Sequence, residues 1–175
     1  QFLTGGKANG HDEKVLEKIW KDWEAFASYA FNKSHAACYA WVAYQTAYLK
    51  AHYPQIYMCA LINTVAGAHE KIRDYAEDCI AMGMEVLRPD INKSEVGFAA
   101  EGNNIRYGLA AIKGIGELYA GRIVDERRAG EYSGVTNFMR RLGSYTNFKM
   151  AESLVRSGSM DSFGYRGELL QLFID

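Results

Sequence analysis

Leu109-Ala-Ala-Ile-Lys-Gly-Ile-Gly-Glu-Leu-Tyr-Ala-Gly-Arg-Ile-Val-Asp-Glu-Arg127 reads as two helical segments joined by a very short turn, with Gly114 and Gly116 bracketing Ile115. Glycine has no Cβ, so both positions are free to take positive φ, and the apolar tip points the turn inward. Where the second segment begins, backbone N–H groups are unpaired and the helix dipole is positive, which favours an anion. The same residues also suit an αα-corner in which Gly114 caps one helix, Ile115 plugs the core and nothing is bound. Both readings stay open on the turn alone.

The pattern has the form of a helix-hairpin-helix. A contact made through it holds nucleic-acid phosphate and reads no bases. The candidate DNA-binding residues are Lys113, Gly114, Ile115, Gly116 and Arg122. In the second helix Leu118, Ile123 and Val124 form the expected inner face, and Arg122, Arg127 and Arg128 lie outward. Farther on, Val135 to Leu142 and Lys149 to Ser157 read as short helices, the latter with Met150, Leu154 and Val155 inside. Gly158-Ser159-Met160-Asp161-Ser162-Phe163-Gly164 makes a second glycine-bounded turn before a last helix from Tyr165, so two such units stand in tandem.

Working back towards the N-terminus, Val96, Phe98 and Ala100 alternate before Glu101-Gly102-Asn103-Asn104, and Ile105, Tyr107 and Leu109 alternate after it. That is a β-hairpin in a sheet of two or three strands, too small to stand without helices packed on it. Before it, Ala68 to Met82 is a helix with Ile72, Tyr75, Cys79 and Ile80 inward and Gly83 as its C-terminal stop. Asp74, Glu77 and Asp78 share a face of it, but Lys71 and Arg73 neighbour them and no His joins, so no metal site is expected. A shorter helix starts at Pro54, the residue that also ends the preceding one. That preceding helix begins at Ser34 as N-cap and runs roughly 19 residues, or about 28 Å. Lys33, Ser34 and His35 stand at its mouth as a polar, cationic pocket for phosphate, or else as an ordinary solvated cap. Tyr39, one turn on, shares the face of His35. The first long helix, Asp12 to Tyr29, carries Leu16, Ile19, Trp23, Phe26 and Ala30 on one stripe. Trp20 and Trp23 are expected in a core.

The fold class that follows is mainly α: a helical bundle with a small β-hairpin insertion and tandem helix-hairpin-helix motifs. Its divisions are residues 1–83, 84–110 and 111–175. The 175 residues, 49% of them hydrophobic, suffice for a core. No apolar run reaches the ~20 residues of a membrane span and no secretory signal is present. The chain starts on Gln1 and stops on Asp175 inside an apolar run, which suggests a piece of something larger. Cys38, Cys59 and Cys79 read as small buried hydrophobes. Lys and Arg total 20 against 21 Asp and Glu, so attraction to a polyanion has to be local.

Several stretches carry a resemblance. Phe31-Asn-Lys-Ser-His-Ala-Ala37, Tyr44-Gln-Thr-Ala-Tyr-Leu-Lys-Ala-His-Tyr-Pro54, Met82-Gly-Met-Glu-Val-Leu-Arg-Pro-Asp-Ile-Asn92, Tyr107-Gly-Leu-Ala-Ala-Ile-Lys-Gly-Ile-Gly-Glu117 and Leu154-Val-Arg-Ser-Gly-Ser-Met-Asp161 resemble the alpha subunits of bacterial DNA polymerase III, the replicative polymerases of the C family. The likeness runs from about Gly10 onward, with the motifs in one order. It departs where Gly130 to Gly134 lacks the family's Gly-Pro-aromatic turn and where Arg88 stands in place of a frequent proline.

The resemblance implies that Lys33, Ser34, His35 and Tyr39 belong to the fingers face that meets the incoming nucleotide triphosphate. It implies too that Gly114, Ile115 and Gly116 hold duplex DNA by its phosphates. The magnesium-dependent two-metal step belongs to palm carboxylates with no match in this sequence, so the chain alone is expected to have no catalytic residues, no cofactor and no polymerase activity. The implied setting is the bacterial cytoplasm, with no membrane. Sliding-clamp and other replicase contacts are expected of the parent, the clamp peptide lying beyond Asp175.

Two rivals differ in class. A glycosylase of helix-hairpin-helix type needs a catalytic acid at a fixed interval after the hairpin, and Asp125 follows too soon. A protein-interaction module without DNA contact draws support from the near-neutral charge.

Overall fold

The computed structural model describes residues 1–30 and 33–173, without the side chains of Tyr29 and Ala30. The inward placement of Ala30 and the Phe31-Asn32 opening of the first quoted motif lie outside the described residues. The chain forms two compact units, Gln1–Tyr48 and Leu49–Asp175. The division at 83/84 read from the sequence falls inside the second of them.

The first unit holds α1 (Phe2–Ala8), α2 (Glu13–Ala30) and the larger part of α3 (Lys33–His52). Gly6 lets α1 lie close on α2, since a Cβ there would meet Leu16 Cδ1 at 2.6 Å. Leu16 is buried, and Phe2 packs over Trp20 and Trp23 at ring separations of 5.9 and 4.8 Å. The tryptophans are not core residues, however: both are exposed, as is Phe26, because only the seven-residue α1 covers their stripe. No residue of α3 is buried, and Cys38 is exposed on it, unlike the expected buried thiol.

The second unit is mainly α with one small sheet. Its first core lies between α4 (Pro54–Asn63), α5 (His69–Ala81) and strands β1 (Val86–Leu87), β2 (Ala99–Glu101) and β3 (Asn104–Arg106). Pro54 opens α4 at a position whose N–H has no helical acceptor anyway. Gly83, at φ 79°, ends α5, with the Met84 amide bonded back to Cys79 O. Ile72 and Cys79 face the core, but Ile80 is exposed; it sits one residue past Cys79, about 100° around the helix. Strand β3 is central, antiparallel to β2 across the expected hairpin and parallel to β1. Gly102, at φ 60°, supplies the tight turn. Arg106 closes the hairpin with a two-pronged bond to Glu101, at 2.7 and 2.5 Å.

A second core gathers α6 (Glu117–Arg127), α7 (Val135–Leu142), α8 (Phe148–Ser157) and α9 (Arg166–Gln171) around Ile123, Phe138, Leu142, Leu154 and Met160. Each fully buried side chain of this size contributes about 1.5–3 kcal/mol. Tyr107 packs against both cores and meets Phe98 edge-on at 4.6 Å.

The loop from Asp90 to Glu95 ties the two cores together. Asp90 Oδ1 accepts the amides of Asn92 and Lys93, Ser94 Oγ donates to Tyr107 O, and Asn92 exchanges two hydrogen bonds with the backbone of Tyr132. Arg127, expected to point outward, instead turns onto this loop. Its guanidinium donates to Ser94 O at 2.8 Å and pairs with Glu95 at 3.0 Å.

Candidate nucleic-acid interface

The quoted turn is tighter at its entrance than the sequence suggests. What leads into it is a single 3-10 turn, Leu109–Ala111, not an α-helix. The preceding Gly108 is extended, lying against the main chain of Gly97 where a Cβ would collide with backbone, and the Leu109 and Ala110 amides donate to Glu95 O and Val96 O and not back along a helix. Ile115 N donates to Ile112 O at 2.9 Å, which makes Ile112–Ile115 a β-turn with Lys113 and Gly114 in its centre. Gly114 takes φ 90°, the third position of a type II turn, where a side chain is strained. Gly116 does not share that requirement: its φ is −84°, and nothing lies within 4 Å of where its Cβ would be. It is the N-cap of α6, in extended geometry.

Ile115 is buried in the second core, as the plug of the turn. Tyr119, Ala120, Ile123 and Val124 make the inner face of α6, and Leu118, assigned there from the sequence, is 89% exposed. The four inward residues form one stripe two residues wide, and Leu118 precedes it on the solvent side. The amides of Glu117 and Leu118 have no acceptor among the described residues, as expected of a first helical turn without a side-chain cap.

The two cations of the candidate set are not brought together. Lys113 and Gly114 line a cleft of about 800 Å³, whose opposite wall is α8. That wall presents Lys149, Ser153 and Arg156, and His69, the first residue of α5, Tyr107 and Ile112 complete the lining. Arg156 pairs with Glu152 at 2.8 Å, and no carboxylate among the described residues pairs with Lys113 or Lys149. Burial pushes the Tyr107 phenol up, so it stays a donor, to Ala111 O. Arg122 borders a different hollow, with Glu117, Asp125 and Glu126, and its guanidinium stacks on Tyr145 at 4.0 Å.

The second glycine turn is built otherwise. Gly158 takes φ 85° and caps α8, but Arg166 and Asp161 close over it: a Cβ on Gly158 would reach Arg166 Nη2 at 2.5 Å and Asp161 Oδ2 at 2.9 Å. Two hydrogen bonds of 2.7 Å join those side chains, and Arg88 adds a longer contact at 4.0 Å. Hydrogen bonding from Arg166 holds the Asp161 carboxyl below its ordinary range.

In the other candidate group, Lys33 is the first described residue of α3 and is already helical, so Ser34 lies inside the helix and is not its N-cap. Lys33, Ser34, His35 and Tyr39 are all exposed, and the rings of His35 and Tyr39 meet at 4.4 Å across one turn, as their spacing requires. Trp41, Tyr44 and Tyr48 form a second exposed ladder on the same helix, at 6.1 and 6.3 Å. Sequence reasoning passed over both this ladder and the α8 wall. The ladder carried an i, i+3, i+7 signal, whereas Lys149 and His69 meet Lys113 only through folding.

Comparison with known proteins adds the lineage. Residues 83–169 match the family described as the helix-hairpin-helix motif. The chain is 42% identical over 172 residues to the DNA polymerase III subunit alpha of Thermus aquaticus, which covers 97% of this chain and 14% of that protein. It is 43% identical over 176 residues to the Deinococcus radiodurans subunit, with 99% and 13% covered, and 40% identical over 166 residues to that of Mycobacterium tuberculosis, with 94% and 14% covered. The chain therefore spans about one-seventh of the length of these relatives. Among the described residues, no helix is long and apolar enough to cross a membrane.

Proposed function

We propose, because this chain is homologous along nearly its whole length to one segment of the DNA polymerase III alpha subunit, that it holds duplex DNA by its backbone phosphates within a template-directed DNA polymerase. The observation that carries this reading is the turn at Gly114. It presents a Lys113 that no carboxylate among the described residues pairs with, a cleft with three permanent cations against one carboxylate, and amides at the start of α6 without a side-chain cap. Such a surface neutralises phosphate charge and has no means of reading base edges.

The exposed Lys33, Ser34, His35 and Tyr39 face of α3 is the part proposed to meet the triphosphate of the incoming nucleotide. Lys33 supplies a positive charge there, and the adjoining His35 and Tyr39 rings, tilted at 51° to each other, supply an exposed aromatic surface. The magnesium ions of the reaction would sit on palm carboxylates outside this sequence, and no step is assigned to this chain through them. The 175-residue chain by itself is proposed to extend no primer when given template, nucleotides and magnesium.

Fluorescence anisotropy with labelled duplexes of unrelated sequence tests the DNA reading. The expected result is binding that is indifferent to sequence and falls steeply with salt, with a slope of about −0.9 per phosphate engaged. No binding at low salt would overturn it in favour of a protein-interaction module, the reading that the acidic surroundings of Arg122 favour. For the nucleotide face, Lys33→Ala and His35→Ala in the complete polymerase should raise the apparent KM for nucleotide, and unchanged kinetics would remove them.

A further inference from the structure

We infer that the cleft between the Gly114 turn and α8 is a second phosphate position, taking one further nucleotide unit of the bound strand through Lys149 and His69. This rests on the duplex-holding reading above and extends it to residues outside the hairpin. Three separate elements converge on the cleft: Lys113 from the turn, Lys149 and Arg156 from α8, and His69 from the start of α5. Its one acid, Glu152, is already engaged by Arg156, so the charge left facing the cleft is positive. Of its lining, Ala111 and Ile112 are buried and Tyr107 half-buried, an apolar surface suited to the face of a sugar, while Lys113, Lys149 and Arg156 are exposed, where a phosphate could reach them. At about 800 Å³ the space admits a nucleotide unit and not merely an ion. The α6 amides lie outside its lining, so this position adds to the one they offer.

Duplex binding is measured on the 175-residue chain and its Lys149→Ala, His69→Gln and Lys113→Ala variants, with melting temperatures recorded to show that each is folded. Lys149 and His69 are exposed, so the fold is expected to survive. Lys149→Ala should weaken binding about five- to tenfold at moderate salt and lower the salt slope by about 1, and Lys149→Arg should restore both. His69→Gln should weaken binding about twofold at the same salt. If Lys113→Ala weakens binding while Lys149→Ala and His69→Gln do not, the second position is overturned and the hairpin reading stands. If the unsubstituted chain fails to bind duplex at low salt, the reading and this extension both fall.

Discussion

The two glycine turns, at Gly114 and at Gly158, share a positive φ and a place between packed segments, yet one faces outward and the other is closed by its own chain. Over Gly158 a carboxylate and a guanidinium already bond to each other, so the site an external phosphate would use holds Asp161. Beside Gly114 the corresponding space holds Lys113 and a cleft whose cations outnumber its acids. The lesson is that a glycine turn before a helix specifies backbone geometry only. Whether it binds an anion is set by the side chains that the rest of the fold brings to it.

The comparison breaks most visibly through the glycines themselves. Gly158→Val combines a disfavoured left-handed backbone with displacement of the Arg166–Asp161 pair, and should cost about 2–3 kcal/mol in denaturant unfolding. Gly114→Val meets only Ser153 Oγ, at 3.1 Å, besides the backbone strain. It should cost about 1–2 kcal/mol and weaken duplex binding by a larger factor than Gly158→Val does. Equal losses of binding in the two variants would erase the distinction drawn here.

Asp161→Asn sharpens the contrast from the closed side. Because Arg166 holds the Asp161 carboxyl below its unfolded value, the pair's contribution is fully present above about pH 4 and is lost as pH falls through the lower, folded value. The unsubstituted chain should thus lose melting temperature on acidification through that window. Asp161→Asn should start slightly lower at pH 7 and fall less. An identical acid limb in the two proteins would show that the pair contributes nothing.

The smallest effect is the most diagnostic. Gly116 already has the extended geometry of an N-cap, so Gly116→Ser should cap α6 and raise stability by a few tenths of a kcal/mol. The same hydroxyl would occupy amides offered to phosphate, so duplex binding should weaken while the protein becomes more stable. Improved stability with undiminished binding would take the α6 amides out of the interface.

Much of this was legible in the chain itself. Pro54, Gly83 and the Glu101-Gly102-Asn103-Asn104 hairpin mark their boundaries through backbone chemistry that acts within a few residues, and the structure has them where that chemistry puts them. The misreadings occur where burial depends on distant partners. Leu118 and Ile80 lie beside a helical stripe but outside what a neighbour covers, and Trp20 and Trp23 have only α1 over them. Arg127 looked like a surface cation until the Asp90–Glu95 loop folded beneath it.

What the sequence determined alone was the breaks at Pro54, Gly83, Gly102 and Gly114 and the lineage, because propensity, capping and motif order are local properties carried by adjacent residues; the helix Phe2–Ala8 and the single 3-10 turn ahead of Gly114 escaped it. Which cations share a cleft was decided only by tertiary structure. Lys113, Lys149 and His69 come from three elements far apart in the chain, and Arg122, close to Lys113 in sequence, is carried by the helix to a hollow with Glu117, Asp125 and Glu126. Charge acts through space over a few ångströms, and only packing sets those distances.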